Sequence, residues 1–296
     1  MFLSEQLSEA ISIAIKEYSD NDGSLGLLSS VSGGSINKCF QIEYGKESFF
    51  LKVNSSVKFP SMFIAEAEGL KQIGLTNTIQ VPKVICHGVS NDEQFLVLEW
   101  IEQGINDACA QAEMGRRLAE LHMNTQLQFG LDHDNYMGSL VQSNKRSPSW
   151  SEFFIIERLV PQVEMARNRN LLSNSVLIQF EILYKNLDGL FPREIPSLLH
   201  GDLWSGNYLI NYLNKPVLID PAIFYGHREV DIAMTTLFGG FQQPFYDAYH
   251  EMFPLKEGWK ERLDLWNLYP SLIHINLFGQ SYVSQLMQIL NRFAIK

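Results

Sequence analysis

The sequence predicts an α+β fold in two lobes. A small antiparallel sheet with one main helix would occupy residues 1–103, and a larger, mostly helical lobe residues 104–296. Three observations carry this reading. Short apolar runs at 39–44, 48–53, 81–88 and 94–101 crowd the first third and are parted by turn residues such as Gly45 and Asn91. From about residue 105 onward, apolar residues recur at helical rather than alternating spacing. Late in the chain, His200-Gly201-Asp202-Leu203-Trp204-Ser205-Gly206-Asn207 leads into two short apolar runs, 208–210 and 216–219, flanking the polar turn 211–215. That is the pattern of a β-hairpin, and Asp220-Pro221 follows it directly.

The spacing of these polar residues carries the chemistry. An Asp followed five residues later by an Asn, then a second Asp after a hairpin, matches the protein-kinase catalytic loop and metal-binding aspartate, with Gly201 where that loop has Arg. One carboxylate must accept the proton of an attacking hydroxyl. An amide oxygen and a further carboxylate, both hard donors, must hold Mg²⁺ against the phosphates of ATP. Any one of these residues alone reads as an ordinary polar turn; the set is what points to phosphoryl transfer, on a protein-kinase-like fold.

His200 through Asn207 followed by Asp220-Pro221-Ala222 resembles the fructosamine kinase (ketosamine kinase) family, a branch of the aminoglycoside and choline phosphotransferases. Trp204 and Gly206 point to that branch, and 224–229, 237–241 and 245–249 support it. The resemblance implies transfer of the γ-phosphoryl group of ATP to a sugar hydroxyl of a ketosamine, a deglycation repair reaction. Asp202 would be the general base, Asn207 and Asp220 the Mg²⁺ ligands, and Trp204 and His200 acceptor contacts. Two other readings stay open: a kinase of aminoglycosides or choline-type alcohols, and a nucleotide-binding pseudokinase serving as an interaction module.

Composition narrows the field. With 296 residues and 46% hydrophobic content the chain can bury a large core. A net charge of −10 argues against a general nucleic-acid-binding face. Three cysteines, Cys39, Cys86 and Cys109, are odd in number and lack metal-ligand spacing, which suits a reduced cytoplasmic setting. With no signal-like N-terminus and no apolar run of about 18 residues, neither export nor a membrane partner is expected. A monomer is expected.

In chain order, residues 3–18 read as an amphipathic helix. Residues 28–38 read as a small-residue loop, and in a kinase-like lobe its Gly33, Gly34 and Ser35 would cover the nucleotide phosphates through bare backbone amides. An ordinary turn explains Gly33-Gly34 equally, since neither G-x-G-x-x-G nor a Walker sequence is present. Some members of the resembled family carry a cysteine in this loop; here the position after the two glycines is Ser35. Lys52 lies in an apolar strand, in the setting of the phosphate-binding lysine. A helix over 61–74, with Ser61 as N-cap and Gly74 as stop, would supply its carboxylate partner. Glu66 and Glu68 are both candidates and project about 160° apart; the resemblance favours Glu66. Backbone groups around Glu99 and Ile101 would bind adenine, with the lobe boundary near Gln103-Gly104.

Beyond it, 105–123 reads as a helix ending in a core or capping His122. Residues 129–138 are turn-rich. Two helices follow over 150–167 and 171–190, the first kinked or broken at Pro161. Residues 224–228 read as a loop after Asp220, and Val230 starts a helix whose Asp231 would bond catalytic-loop amides. Residues 241–296 read as helical and aromatic-rich, with His250 and His274 structural.

Overall fold

The computed structural model describes residues 3–19, 23–31 and 36–293, so Gly33, Gly34 and Ser35 lie outside the described residues. The chain divides into two compact units. One comprises Met1–Ala110 with Gly206–Pro221, the other Gln111–Ser205 with Ala222–Lys296. The 208–218 hairpin groups with the first unit. Its strands are held there by backbone bonds from Leu218 N–H to the Gln80 carbonyl at 2.9 Å and from Gly104 N–H to the Ile210 carbonyl at 2.8 Å.

The first unit is built on a five-stranded antiparallel sheet. Its strands are β1 (Leu25–Val31), β2 (Lys38–Tyr44), β3 (Glu47–Ser55), β4 (Val84–Ser90) and β5 (Glu93–Glu99), in the order β1-β2-β3-β5-β4. Strand β1 replaces half of the loop expected over 28–38. It is an edge strand with a register shift between Leu27 and Ser29 and mostly exposed side chains, so no apolar alternation marks it in the sequence. Helix α1 (Glu5–Ser19) lays Leu7, Ile11 and Ile15 against Phe40, Ile42, Phe49, Leu51, Val53 and Val97. Because side chains alternate along a strand, Lys52 between Leu51 and Val53 points to the opposite face.

Helix α2 (Met62–Leu75) buries Met62, Phe63, Ala67, Leu70 and Ile73. Its ends differ from expectation. Ser61 does precede the helix, but in the left-handed region at φ 60° with no side-chain cap. Gly74 does not stop the helix; the end comes after Leu75, where the Thr76 hydroxyl donates to the Ile73 carbonyl at 2.6 Å.

Helix α3 (Ala108–His122) leads into the second unit, burying Met114, Leu118 and Leu121. Two short hairpin strands follow, Asn135–Met137 and Leu140–Gln142. Between α4 (Trp150–Phe153) and α5 (Val160–Asn168) the helix widens into a π-helical turn, Phe154–Leu159. The irregularity expected at Pro161 thus falls in the preceding turn, where the missing proline N–H leaves the ordinary bonding pattern unsupported. Arg158, in that turn, is buried with its guanidinium over the rings of Phe153 and Phe224. Helices α6 (Asn174–Asn186), α7 (Glu229–Met234), α8 (Gln243–Met252), α9 (Trp259–Trp266), α10 (Leu268–Phe278) and α11 (Val283–Phe293) complete the unit. Most contribute to one large core containing Trp150, Phe180, Trp266, Leu272 and Leu290. Residues Phe224–Gly226, expected as loop, form a strand paired with Ser197–Leu199.

Candidate active site

Lys52 is the centre of the candidate residues in the first unit. Its side chain is 2% exposed, and its ammonium lies 2.7 Å from Glu66 Oε1 and 2.7 Å from Asp220 Oδ1. Periodicity explains the choice of glutamate. Glu66 stands one turn from Met62 and Leu70 and shares their sheet-facing stripe, whereas Glu68 is exposed. Burial opposes the charge on Lys52, but the two carboxylates outweigh it and raise the pKa above the ordinary lysine value. For Glu66, burial is the largest influence and pushes the carboxyl up to about 7 against the pull of Lys52, with Asp220 adding to the rise. One ammonium thus faces two carboxylates.

Asp220 adopts φ 54°, a left-handed conformation that aims its half-exposed carboxylate at Lys52. Asn207 is buried, and its carbonyl accepts from Ile219 N–H at 3.0 Å, one residue before Asp220. Fold and hairpin therefore bring Lys52, Glu66, Asn207 and Asp220 into one unit. Glu99 ends β5; its N–H donates to the Lys83 carbonyl at 2.9 Å and its carboxylate accepts from Lys83 N–H. Ile101 follows the strand, outside regular secondary structure.

In the second unit, Asp231 organises the loop that carries Asp202. Its Oδ2 accepts from His200 N–H at 2.7 Å and its Oδ1 from Gly201 N–H at 2.9 Å. His122 Nε2 lies 3.1 Å from the same carboxylate, while its Nδ1 meets the Tyr249 hydroxyl at 2.7 Å. Burial pushes the Asp231 carboxyl up, but His122, His200 and the Gly201 amide together hold it below its ordinary value near 3.8. Gly201 sits at φ 84°, and a Cβ there would lie 2.1 Å from the Ala222 carbonyl oxygen. That contact excludes a side chain, so the arginine of a kinase loop has no room here.

Asp202 is half-buried, with its N–H donating to His200 Nδ1 at 3.2 Å. His200 itself is wholly buried. The residue expected to touch the acceptor thus has its ring against the Asp202 backbone. Trp204 is 37% exposed and meets Phe238 edge to face at 5.7 Å.

A family model for fructosamine kinase matches residues 7–296. The chain belongs to that family. A probable ketoamine kinase of Enterococcus faecium is 42% identical over 267 residues, covering 89% of this chain and 94% of that protein. The chloroplastic protein-ribulosamine 3-kinase of Arabidopsis thaliana is 39% identical, covering 90% of this chain and 82% of its own. A solved structure of a fructosamine-3-kinase candidate from Haemophilus somnus superposes with a TM-score of 0.86 at 31% identity, covering 96% of each chain.

In this fructosamine kinase family member, sequence reasoning missed the supports of the segment after Asp220. Asn135 Nδ2 donates to the Ile223 carbonyl at 2.8 Å, and Gln142 Nε2 to Asn135 Oδ1 at 2.7 Å and to the Ala222 carbonyl at 3.2 Å. Tyr269 closes the network by donating its hydroxyl to Gln142 Oε1 at 3.0 Å. Two buried amides on short strands in a turn-rich stretch are the one sequence signal available.

Asp231→Asn is expected to lower stability near neutral pH, because an amide cannot accept from both loop amides and His122 at once. Asp231 is depressed in the folded state, so its contribution is present above about 3.8 and is lost as pH falls through the lower folded value. Denaturant titrations of both proteins should therefore converge as pH drops below that point. A difference that stays constant with pH would remove the ionised carboxylate as the cause.

Proposed function

We propose that this protein is an ATP-dependent kinase that phosphorylates a sugar hydroxyl of ketosamines, the adducts formed when sugars glycate amines. The observation that carries the proposal is the buried Lys52 ammonium shared by Glu66 and Asp220, in a chain whose family and relatives are named for ketosamine phosphorylation.

In this reading Asp202 accepts the proton of the attacking hydroxyl. The acceptor oxygen bonds to the γ-phosphorus, the bond to the β,γ-bridging oxygen breaks, and ADP leaves with that electron pair. Lys52, held by Glu66, clamps the phosphates. Carbonyl and amide groups near Glu99 and Ile101 bind the adenine edge. Trp204 presents a flat apolar face to the sugar.

The residues present fit a Mg²⁺ ion. Asp220 would supply a charged oxygen ligand, and Asn207, whose main-chain carbonyl accepts from Ile219 next to Asp220, would supply an amide oxygen, both hard donors of the kind this ion requires. When bound, the ion neutralises phosphate charge. Since positioning and charge neutralisation supply most of the acceleration in phosphoryl transfer, these residues suffice for the chemistry.

The acceptor class is tested by phosphate transfer to fructosamine and ribulosamine set against choline and aminoglycosides. Turnover confined to the ketosamines is expected; preferential turnover of choline or an aminoglycoside would overturn the assignment. Asp202→Asn should lower kcat by about 10²-fold or more and leave nucleotide affinity nearly unchanged, because the base acts on the acceptor. A near-normal kcat would take Asp202 out of the mechanism. Asp220→Ala should abolish the Mg²⁺ dependence of ATP affinity in calorimetry, since the neutral Asn207 cannot replace a charged ligand; unchanged affinity for the magnesium complex would count against it.

A further inference from the structure

From Trp204 a run of aromatic rings continues across the second unit, away from anything the phosphoryl-transfer chemistry uses. Phe238 meets Trp204 edge to face, and the Phe238 ring lies 5.3 Å from His274. His274 in turn lies 5.6 Å from Phe278 and 5.3 Å from Tyr282, which approach each other at 6.2 Å. Phe238 is 48% exposed and Phe278 54%. Leaving adjoining ring faces in water is unfavourable relative to covering them, and contiguous apolar surface of this kind marks a ligand or partner site.

The backbone holds the run in place. Gly240 sits at φ 89°, and a Cβ there would lie 2.3 Å from Ser205 Cβ. Only a glycine lets the 237–241 segment fold down onto Ser205, and this close approach seats Phe238 beside Trp204. His274 and Phe278 are one turn apart on α10 and so share a face. The His274 ring plane is fixed by Nδ1 donating to the Pro270 carbonyl at 2.6 Å. These are built positions rather than chance exposures.

We propose that Phe238, Phe278 and Tyr282, with His274 between them, form a subsite for the substituent on the acceptor's amine, selective for alkyl or aryl groups on that nitrogen. The inference rests on the ketosamine reading above. A ketosamine has two ends, a polar sugar carrying the reacting hydroxyl and an amine carrying a substituent. Asp202 and Trp204 serve the first end. The rings begin at Trp204, two residues from Asp202, and lead onward through Phe238 and His274 to Phe278 and Tyr282, so continuity with the sugar site picks out the second end as the occupant. A protonated secondary amine at the junction is attracted by ring faces, and an apolar group beyond it covers them. The run thus acts on specificity and not on the chemical step.

The test compares kcat/KM for an N-benzyl and an N-methyl ketosamine of the same sugar in the wild type, Phe238→Ala, Phe278→Ala and Phe278→Tyr. The wild type should favour the benzyl compound about tenfold or more. Each alanine variant should reduce that preference at least fivefold, through KM of the benzyl compound rather than kcat, and Phe278→Tyr should retain it. Thermal melting of the variants, with wild-type-like transitions expected from such exposed positions, separates lost binding from lost folding. Equal turnover of both compounds by the wild type, or a preference undiminished in both alanine variants, would overturn the subsite while leaving the ketosamine reading standing. Phosphorylation of neither compound by the wild type would overturn both.

Discussion

A lysine ammonium removed from water is the constraint on which the first unit depends. Burying such a charge costs several kcal/mol unless it is closely paired, and Lys52 is paired twice. The two carboxylates come from separate elements, α2 and the chain leaving the 208–218 hairpin, so strand, helix and hairpin are tied at one atom. The hairpin lies over a hundred residues beyond the sheet in sequence, yet its packing makes it part of the same unit. The contacts that would orient nucleotide phosphates are therefore also contacts the unit needs in order to hold together.

The second unit solves a different problem, that of holding a loop. Asp202 owes its position to backbone bonds gathered by Asp231 and to the His200 ring beneath it. Asp231 is anchored by His122 and, through His122, by Tyr249. The buried amides of Asn135 and Gln142 perform a like service for Ala222 and Ile223. In both cases side chains satisfy main-chain groups that loop geometry would otherwise leave unpaired in a dry interior, where each would cost about 1–3 kcal/mol.

Where a residue's role follows from spacing, it was legible in the sequence. The hairpin over 208–218 follows from two short apolar runs flanking a polar turn, whereas helix spacing left Glu66 and Glu68 both open, and it was resemblance that favoured Glu66 and the hold of Asp231 on the loop. Strand β1 was hidden because an exposed edge strand shows no apolar alternation. The end of α2 was misjudged because Gly74 is tolerated inside the helix while Thr76 closes it. The burial of His200 was not legible, because a motif reveals neighbours in sequence and not depth. The Asn135–Gln142–Tyr269 network joins three distant segments, and no local pattern announces it.

Asp220 occupies backbone territory better suited to glycine. The left-handed conformation costs a side-chain-bearing residue on the order of 1 kcal/mol. A lineage selected for durability alone would tend to drift toward glycine at this position, relaxing the backbone while discarding the carboxylate. Attempts to harden this protein by backbone relaxation should pass over residue 220, because the same substitution that eases the backbone would strip the buried Lys52 ammonium of one of its two carboxylates.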